Sequence, residues 1–259
     1  SQEVESLSLR VPQSAKQLAD GLYQVISASV PAEKAMYVLE VAAKAASAGL
    51  ADTFTSVDAI TSVLNAYGLA AEEASHVADV MFMTVVKGKT TFPELAQNIG
   101  DVVSTAATAG VSFEELSAAI STLTKVGVRT PEAVTAINQA LLTFIDPSDE
   151  AAELAKQLGI EFSAAALQSK GLVGALNEVY QATGGNIEIL SKLFPNIRAL
   201  KGILGMTRQE MQMYQSDLEA MKNASGAMEQ AFQKQAQTGA HAMQIFKNEV
   251  SGLLRAIGD

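Results

Sequence analysis

Residues 110–131, GVSFEELSAAISTLTKVGVRTP, decide the fold class. Ser112 and Glu115 stand three apart, the spacing of a capping box. There the serine hydroxyl accepts a hydrogen bond from a first-turn N–H, and the glutamate accepts one from the serine's own N–H. The apolar residues that follow recur with helical rather than alternating period. Gly127 ends this helix. Thr130-Pro131 opens the next, because proline's missing N–H costs nothing at the first helical position. On the upstream side, Gly110 closes the preceding helix.

The same punctuation extends in both directions. Thr91 and Glu94 repeat the box pattern for the helix that Gly110 ends, and a helix over residues 71–87 precedes it. A first helix over residues 13–27 places Leu18, Leu22, Val25 and Ile26 on one face. Val30-Pro31 opens a second, with Met36, Leu39 and Ala43 inward and Gly49 as its left-handed cap. Thr55 caps a third, and Asp58 favours the exposed N–H groups of its first turn. Ile60, Val63 and Leu64 point inward there, and Gly68 stops it. Downstream, the helix opened at Pro131 runs to Asp146-Pro147, and Ser148 starts a short one that ends at Gly159. From Ile160 the pattern loosens. Gly171, Gly174, Gly184, Gly185 and Pro195 punctuate it, and short helices are expected over residues 172–182, 187–194 and 196–204.

Ala48-Gly49-Leu50 and Ala109-Gly110-Val111 recur at an offset of about 60 residues, two helices long. Short helices joined by brief turns stack as antiparallel neighbours. A duplicated helical hairpin is expected, whereas a solenoid would need three or more copies.

Residues 207–257 differ from everything before them: there is no proline, and Gly226 and Gly239 are isolated. Leu218, Met221, Met228, Phe232, Phe246 and Leu253 follow a spacing of three and four. Ser225, Gln235, Gly239 and Glu249 occupy weak slots of the same heptad, and the stripe drifts near Met243, Ile245, Val250 and Leu254. One long helix, or two end to end, with an imperfect coiled-coil seam is the expectation. Six of the nine methionines lie in or just before it, and methionine adapts to irregular surfaces. Both a partner chain and the rest of this chain are candidates for what covers the stripe.

The expected architecture is therefore all-α: a multi-helix array of short antiparallel helices followed by a long C-terminal amphipathic helix. Residues 1–159 form a compact helical-hairpin domain, 160–205 a short-helix connecting region, and 206–259 the long terminal helix. The six stripe residues just named are the candidate interaction site.

Composition removes several function classes. A chain of 259 residues can bury a sizeable core. The absence of cysteine excludes disulfide frameworks and thiolate chemistry. The chain opens on Ser1 with no apolar leader, which reads as a cut-out or processed form without a signal peptide. Its longest apolar stretch, residues 77–86, is interrupted by Asp79 and is far shorter than the roughly 20 residues of a membrane span. A net charge of −10 repels phosphates, so no nucleic acid is expected as a partner. Lys192, Arg198, Lys201 and Arg208 make one local basic run, read as a solvated helix face.

Chemistry has few candidates. The histidines are His76 and His241. Glu72, His76 and Asp79 share a helix face at i, i+4 and i+7, but no further ligand is nominated, so a solvated face is the reading. His241, between Ala240 and Ala242, reads as surface or seam. Glu72-Glu73 and Glu114-Glu115 lie in first turns, where they complement the helix dipole. Gly184-Gly185 lacks the lysine and flanking strand of a phosphate loop. No catalytic residue, metal or cofactor is expected.

Three stretches together resemble the tape measure proteins of tailed phages. Residues 18–52, LADGLYQVISASVPAEKAMYVLEVAAKAASAGLAD, form an early hairpin closing on Ala-Gly. Residues 98–133, NIGDVVSTAATAGVSFEELSAAISTLTKVGVRTPEA, carry a second Ala-Gly turn before a serine-capped helix. Residues 221–258, MKNASGAMEQAFQKQAQTGAHAMQIFKNEVSGLLRAIG, form the amphipathic ending. Each motif is generic, and their joint order carries the resemblance. It implies a structural, non-enzymatic minor tail protein of the virion, assembled in the host bacterial cytoplasm. It would occupy the tail tube, set tail length and leave at DNA ejection. Its implied partners are tail tube and tail tip proteins and further copies of itself, bound through the C-terminal helix. A helical interaction or scaffold module is the alternative, and a membrane-active helical protein a more distant one.

Overall fold

The computed structural model describes residues 2–194 and 208–258, and among them every regular element is a helix, with no strand. In chain order the first helices are α1 (Gln2–Ser8), α2 (Ala15–Ser27), α3 (Ala32–Gly49), α4 (Thr53–Tyr67), α5 (Ala74–Lys87), α6 (Phe92–Asn98), α7 (Gly100–Thr108) and α8 (Phe113–Lys125). There follow α9 (Thr130–Ile145), α10 (Asp149–Gln157), α11 (Ala164–Lys170), α12 (Leu172–Ala182) and α13 (Ile187–Leu193), then α14 (Arg208–Lys222), α15 (Ala227–Ala236) and α16 (Gly239–Gly258). The all-α class read from periodicity holds. The helix expected over residues 196–204 lies outside the described residues, as do Pro195, Arg198, Lys201 and Met206.

Contacts gather the chain into two units: Ser1–Phe82 with Ala224–Asp259, and Met83–Asn223. The division falls at neither 159/160 nor 205/206, where sequence reading placed boundaries. In the first unit α3 is the central element, packed by α2, α4 and α15. Its inward residues are mostly alanine, including Ala35, Ala42, Ala43, Ala45 and Ala46, all fully or almost fully buried. Small side chains let neighbouring helices approach closely. The approach of α2 is close enough that a Cβ on Gly21 would stand 2.9 Å from Leu39 Cδ1 and 3.1 Å from Thr53 Cγ2.

In the second unit α8 is buried along most of its length, polar residues included. Those hydroxyls are satisfied by carbonyls: Thr122 donates to Ala118, Thr124 to Ser121, and Ser121 to Thr84. At the other side of this unit Phe144, Phe162 and Phe194 form a triangle of tilted rings with centroids 4.7–6.1 Å apart. Tilted aromatic pairs at such distances align ring edge with ring face.

Local signals place most helix ends. Ser112 and Glu115 form the full capping box. At Thr91 only half of it forms: the hydroxyl accepts from Glu94 N–H, while the Glu94 carboxylate accepts from the Thr90 hydroxyl instead. A second full box, Ser14 with Gln17, opens α2. Gly68, Gly110, Gly127 and Gly159 all have positive φ.

Three expectations need correction. Gly49 is helical, and the left-handed cap is Leu50, at φ 54°. The chain needs one more helical residue before turning, and Ala51 N–H then closes onto the Ala46 carbonyl. The Ala-Gly turns at 49 and 110 are therefore not conformational equivalents. Asp52, not Thr55, caps α4, its carboxylate accepting from both the N–H and the hydroxyl of Thr55. Lastly, the long terminal helix is three helices. Gly226 breaks it at φ 81°, and Thr238 breaks it again, its hydroxyl accepting from His241 N–H.

Candidate interaction surfaces

The three terminal helices take different seats, and that decides what the apolar stripe does. In the second unit α14 packs on α8. Tyr214, Asp217 and Met221 are its buried residues. Asp217 forms an ion pair with Lys125, in the last turn of α8, and Met221 Sδ accepts from Thr84 Oγ1 at 3.8 Å. Burial, with the Glu115 carboxylate adding to it, pushes the Tyr214 phenol well above its usual range.

In the first unit α15 packs on α3 through Met228 and Phe232, both buried. Its N-terminus is capped from a distance. Asp79, 4% exposed, lies in α5, and its two carboxylate oxygens accept from the N–H groups of Gly226 and Met228 at 2.8 Å each. Lys44 pairs with Glu229 and lies over the Phe232 ring, 5.7 Å from its centroid. Gln233 donates to the Glu229 carboxylate and, with Lys44, holds its pKa below the usual range against the opposing effect of burial. On α16, Asn248 donates to the carbonyls of Ser8, Pro12 and Gln13.

The six stripe residues are divided between the two units. Met221 is buried in the second unit and Met228 with Phe232 in the first. Leu218 is half-buried, and Phe246 is 59% exposed. The side chain of Leu253 lies outside the described residues. Beside Phe246, Met243 and Val250 are also exposed, at spacings of three and four on α16. This shorter stripe is the part that the chain itself leaves open.

The other chemical candidates also separate. Glu72 is exposed and paired with Lys34, whereas Asp79 is buried and committed to its cap, so the face bearing Glu72, His76 and Asp79 is not uniformly solvated. Of the two readings of His241, surface and seam, the surface one does not hold: it is buried, with its ring edge toward the stripe residue Phe232. Among the described residues no three His, Asp or Glu side chains gather as metal ligands, and no helix is long and apolar enough to cross a membrane.

One concave feature stands out. On the first unit a cleft of about 680 Å³ is lined by Gln13, Gln17, Leu50, Asp52, His241 and Gln244, among others. Its lining comes from the start of α2, the end of α3 with the start of α4, the last turn of α15 and the start of α16. Of this cleft, sequence singled out only Leu50, as part of the Ala-Gly repeat, His241 and the weak slot Gln235. The residues come from three separate stretches, and their convergence has no local signature.

The model of a family described as phage-related minor tail protein matches residues 1–194. A probable tape measure protein of Clostridium phage phiCD119 is 28% identical over 263 residues, covering 97% of this chain and 28% of that protein. The tape measure protein of Pneumococcus phage Dp-1 is 28% identical over 149 residues, covering 58% of this chain and 13% of that protein. The chain thus spans less than a third of the length of either relative. No solved structure matches it.

Proposed function

Because the chain belongs to the phage-related minor tail protein family, we propose that it is a folded helical portion of a tape measure protein, a structural and non-enzymatic part of a phage tail. The alignment across 97% of the chain with a probable tape measure protein carries this reading. Such a protein occupies the tail tube lumen during assembly, sets tail length and leaves before or with the DNA at ejection. The longest helix among the described residues has 20 residues and rises about 30 Å, which supports reading this portion as a folded module, with the measuring length carried by other parts of a longer protein.

Its partners are tail tube and tail tip proteins, together with other copies of the chain. Self-association runs through the open α16 stripe of Met243, Phe246 and Val250, with Leu253 the next position of the same sequence spacing. A narrow apolar line suits one or two partner helices better than a wide core. Sedimentation tests that contact: Phe246→Glu should shift the intact chain toward monomer, and an unchanged distribution rejects the stripe. The tail role is tested by deleting this portion in frame from a phage that carries it and viewing lysates by electron microscopy. Loss of tails of defined length is the expected result. Normal tails in normal numbers would reject the proposal.

A further inference from the structure

α16 is docked with its polar side inward. His241 and Asn248, 6% and 7% exposed, face the first unit, and Gln244 and Ile245 beside them are half-buried. Met243, Phe246 and Val250 are exposed. At about 100° per residue, each of these three stands about 140–160° round the helix from Asn248, so the apolar line and the buried amide occupy opposite sides. A helix held on a globular unit by its apolar stripe turns the other way, with the stripe to the core.

Asn248 opposes that rotation. Its amide nitrogen donates to the carbonyls of Ser8, Gln13 and Pro12 at 3.0, 3.1 and 3.4 Å, at the end of α1 and in the connection to α2. Carbonyls only accept, so the amide cannot be reversed end for end. Gln244 donates to the amide oxygen at 3.3 Å, so both ends of the Asn248 side chain are engaged. Rolling the apolar line inward breaks the bonds to all three carbonyls at once, and buried polar groups left unmet are costly.

Charge names what the line meets. The chain carries −10, so copies repel one another in general. The borders of the line nevertheless hold one exposed charge of each sign, Lys247 on one flank and Glu249 on the other. When two parallel helices face each other, each flank meets the opposite flank of its neighbour. The Lys247 side of each copy then meets the Glu249 side of the other. An antiparallel pair sets like flanks together.

We propose that Asn248 is a positioning residue: it fixes the rotation of α16 so that Met243, Phe246 and Val250 are presented to the same line on a second copy, side by side and in parallel. This rests on the self-association proposed above for that line and adds what orients it.

The rotation is tested on the monomer. The chain has no tryptophan, so Phe246→Trp supplies a single reporter, read at a dilution where the chain does not associate. With Asn248 in place the reporter should be open to acrylamide. Asn248→Asp is nearly isosteric but sets a carboxylate against three carbonyls, so the helix should turn that position to water and the apolar line inward. Acrylamide quenching should then fall and the emission shift to shorter wavelength. Asn248→Ala, which removes the amide without adding charge, should give the same change. A reporter that stays equally open in both variants, whether α16 keeps its rotation or lifts away, overturns the proposal. Sedimentation equilibrium tests the contact. Asn248→Asp should weaken association by about tenfold or more, because the line is no longer preorganised for its neighbour. Phe246→Ala should weaken the wild-type chain but add nothing further in Asn248→Asp, since the two residues act as one device. Additive losses overturn the proposal. A wild-type chain that is monomeric at every concentration rejects the self-association reading and the second copy with it, while quenching of the reporter decides the rotation in either case.

Discussion

Replacing Asp79 tests how α15 is held. The buried carboxylate accepts from two N–H groups of a helix start far along the chain, at 2.8 Å each. A hydrogen bond to a charged acceptor contributes about 1.5–3 kcal/mol net, and an unmet buried donor costs about 1–3 kcal/mol. Asparagine keeps one acceptor but turns an amide NH₂ toward the second N–H, so Asp79→Asn should cost about 2–3 kcal/mol. Alanine leaves both donors unmet and removes the cap, so Asp79→Ala should cost about 3–5 kcal/mol. In a chain of this size each kcal/mol lowers Tm by about 3 °C, giving falls of about 6–9 °C and 9–15 °C. Met228 and Phe232 still bury against α3 in both variants, so the loss should appear first as local opening. Amide exchange at Gly226 and Met228 should accelerate by about 30-fold or more in Asp79→Asn. Melting within about 1 °C of wild type for both variants, with exchange unchanged, would refute the reasoning.

Leu50→Asn should raise stability by about 1 kcal/mol, because asparagine tolerates the left-handed region and Leu50, 75% exposed, loses little burial; a fall in urea midpoint counts against the strained cap. Gly110→Val should destabilise by at least about 2 kcal/mol, since φ is 74° there and a Cβ would also meet the Gln168 side chain; thermal melting decides it, and Gly49→Val, in a helical conformation, should cost less. Lys125→Met leaves the Asp217 carboxylate buried without its cation and should cost about 2 kcal/mol, at the low end because Lys125 is partly solvated; adding Asp217→Leu should recover most of it in chemical denaturation. Asp52 has a lowered folded pKa, so its contribution is complete above its unfolded value near 3.8 and disappears as pH falls through the lower folded value; Asp52→Ser, which keeps a cap without a charge, should flatten that acid limb of the stability profile.

What could be read in advance follows the range of the interaction. Ser112 with Glu115, Ser148, and the glycines at 68, 110 and 127 act on backbone within a few residues of themselves, and their effects stood in the sequence. The cap on α15 did not, because its acceptor is Asp79 and its donors are Gly226 and Met228. A spacing of three and four is also the same whether a stripe faces one partner helix or is cut into pieces that face different bodies. Met221 and Phe246 could not be told apart by position in the repeat, yet one is fully buried and the other largely exposed. The cleft on the first unit was invisible for the same reason, since Gln13, Asp52 and His241 line it only when three stretches are folded together. The family resemblance rested on the order of whole segments, and order survives such local misreadings.

Asn248 binds the carbonyls of Ser8, Pro12 and Gln13, so the first unit is built from both ends of the described chain. Ribosomes deliver residues in order, and about 165 residues separate Phe82 from Asn248. At about 5–20 residues per second the N-terminal helices wait about 10–30 s for the strand of chain that completes them. The second unit, contiguous in sequence, can close during that interval. The N-terminal helices therefore emerge with the α3 surface that α15 covers still bare, and it stays bare until the end of the chain arrives.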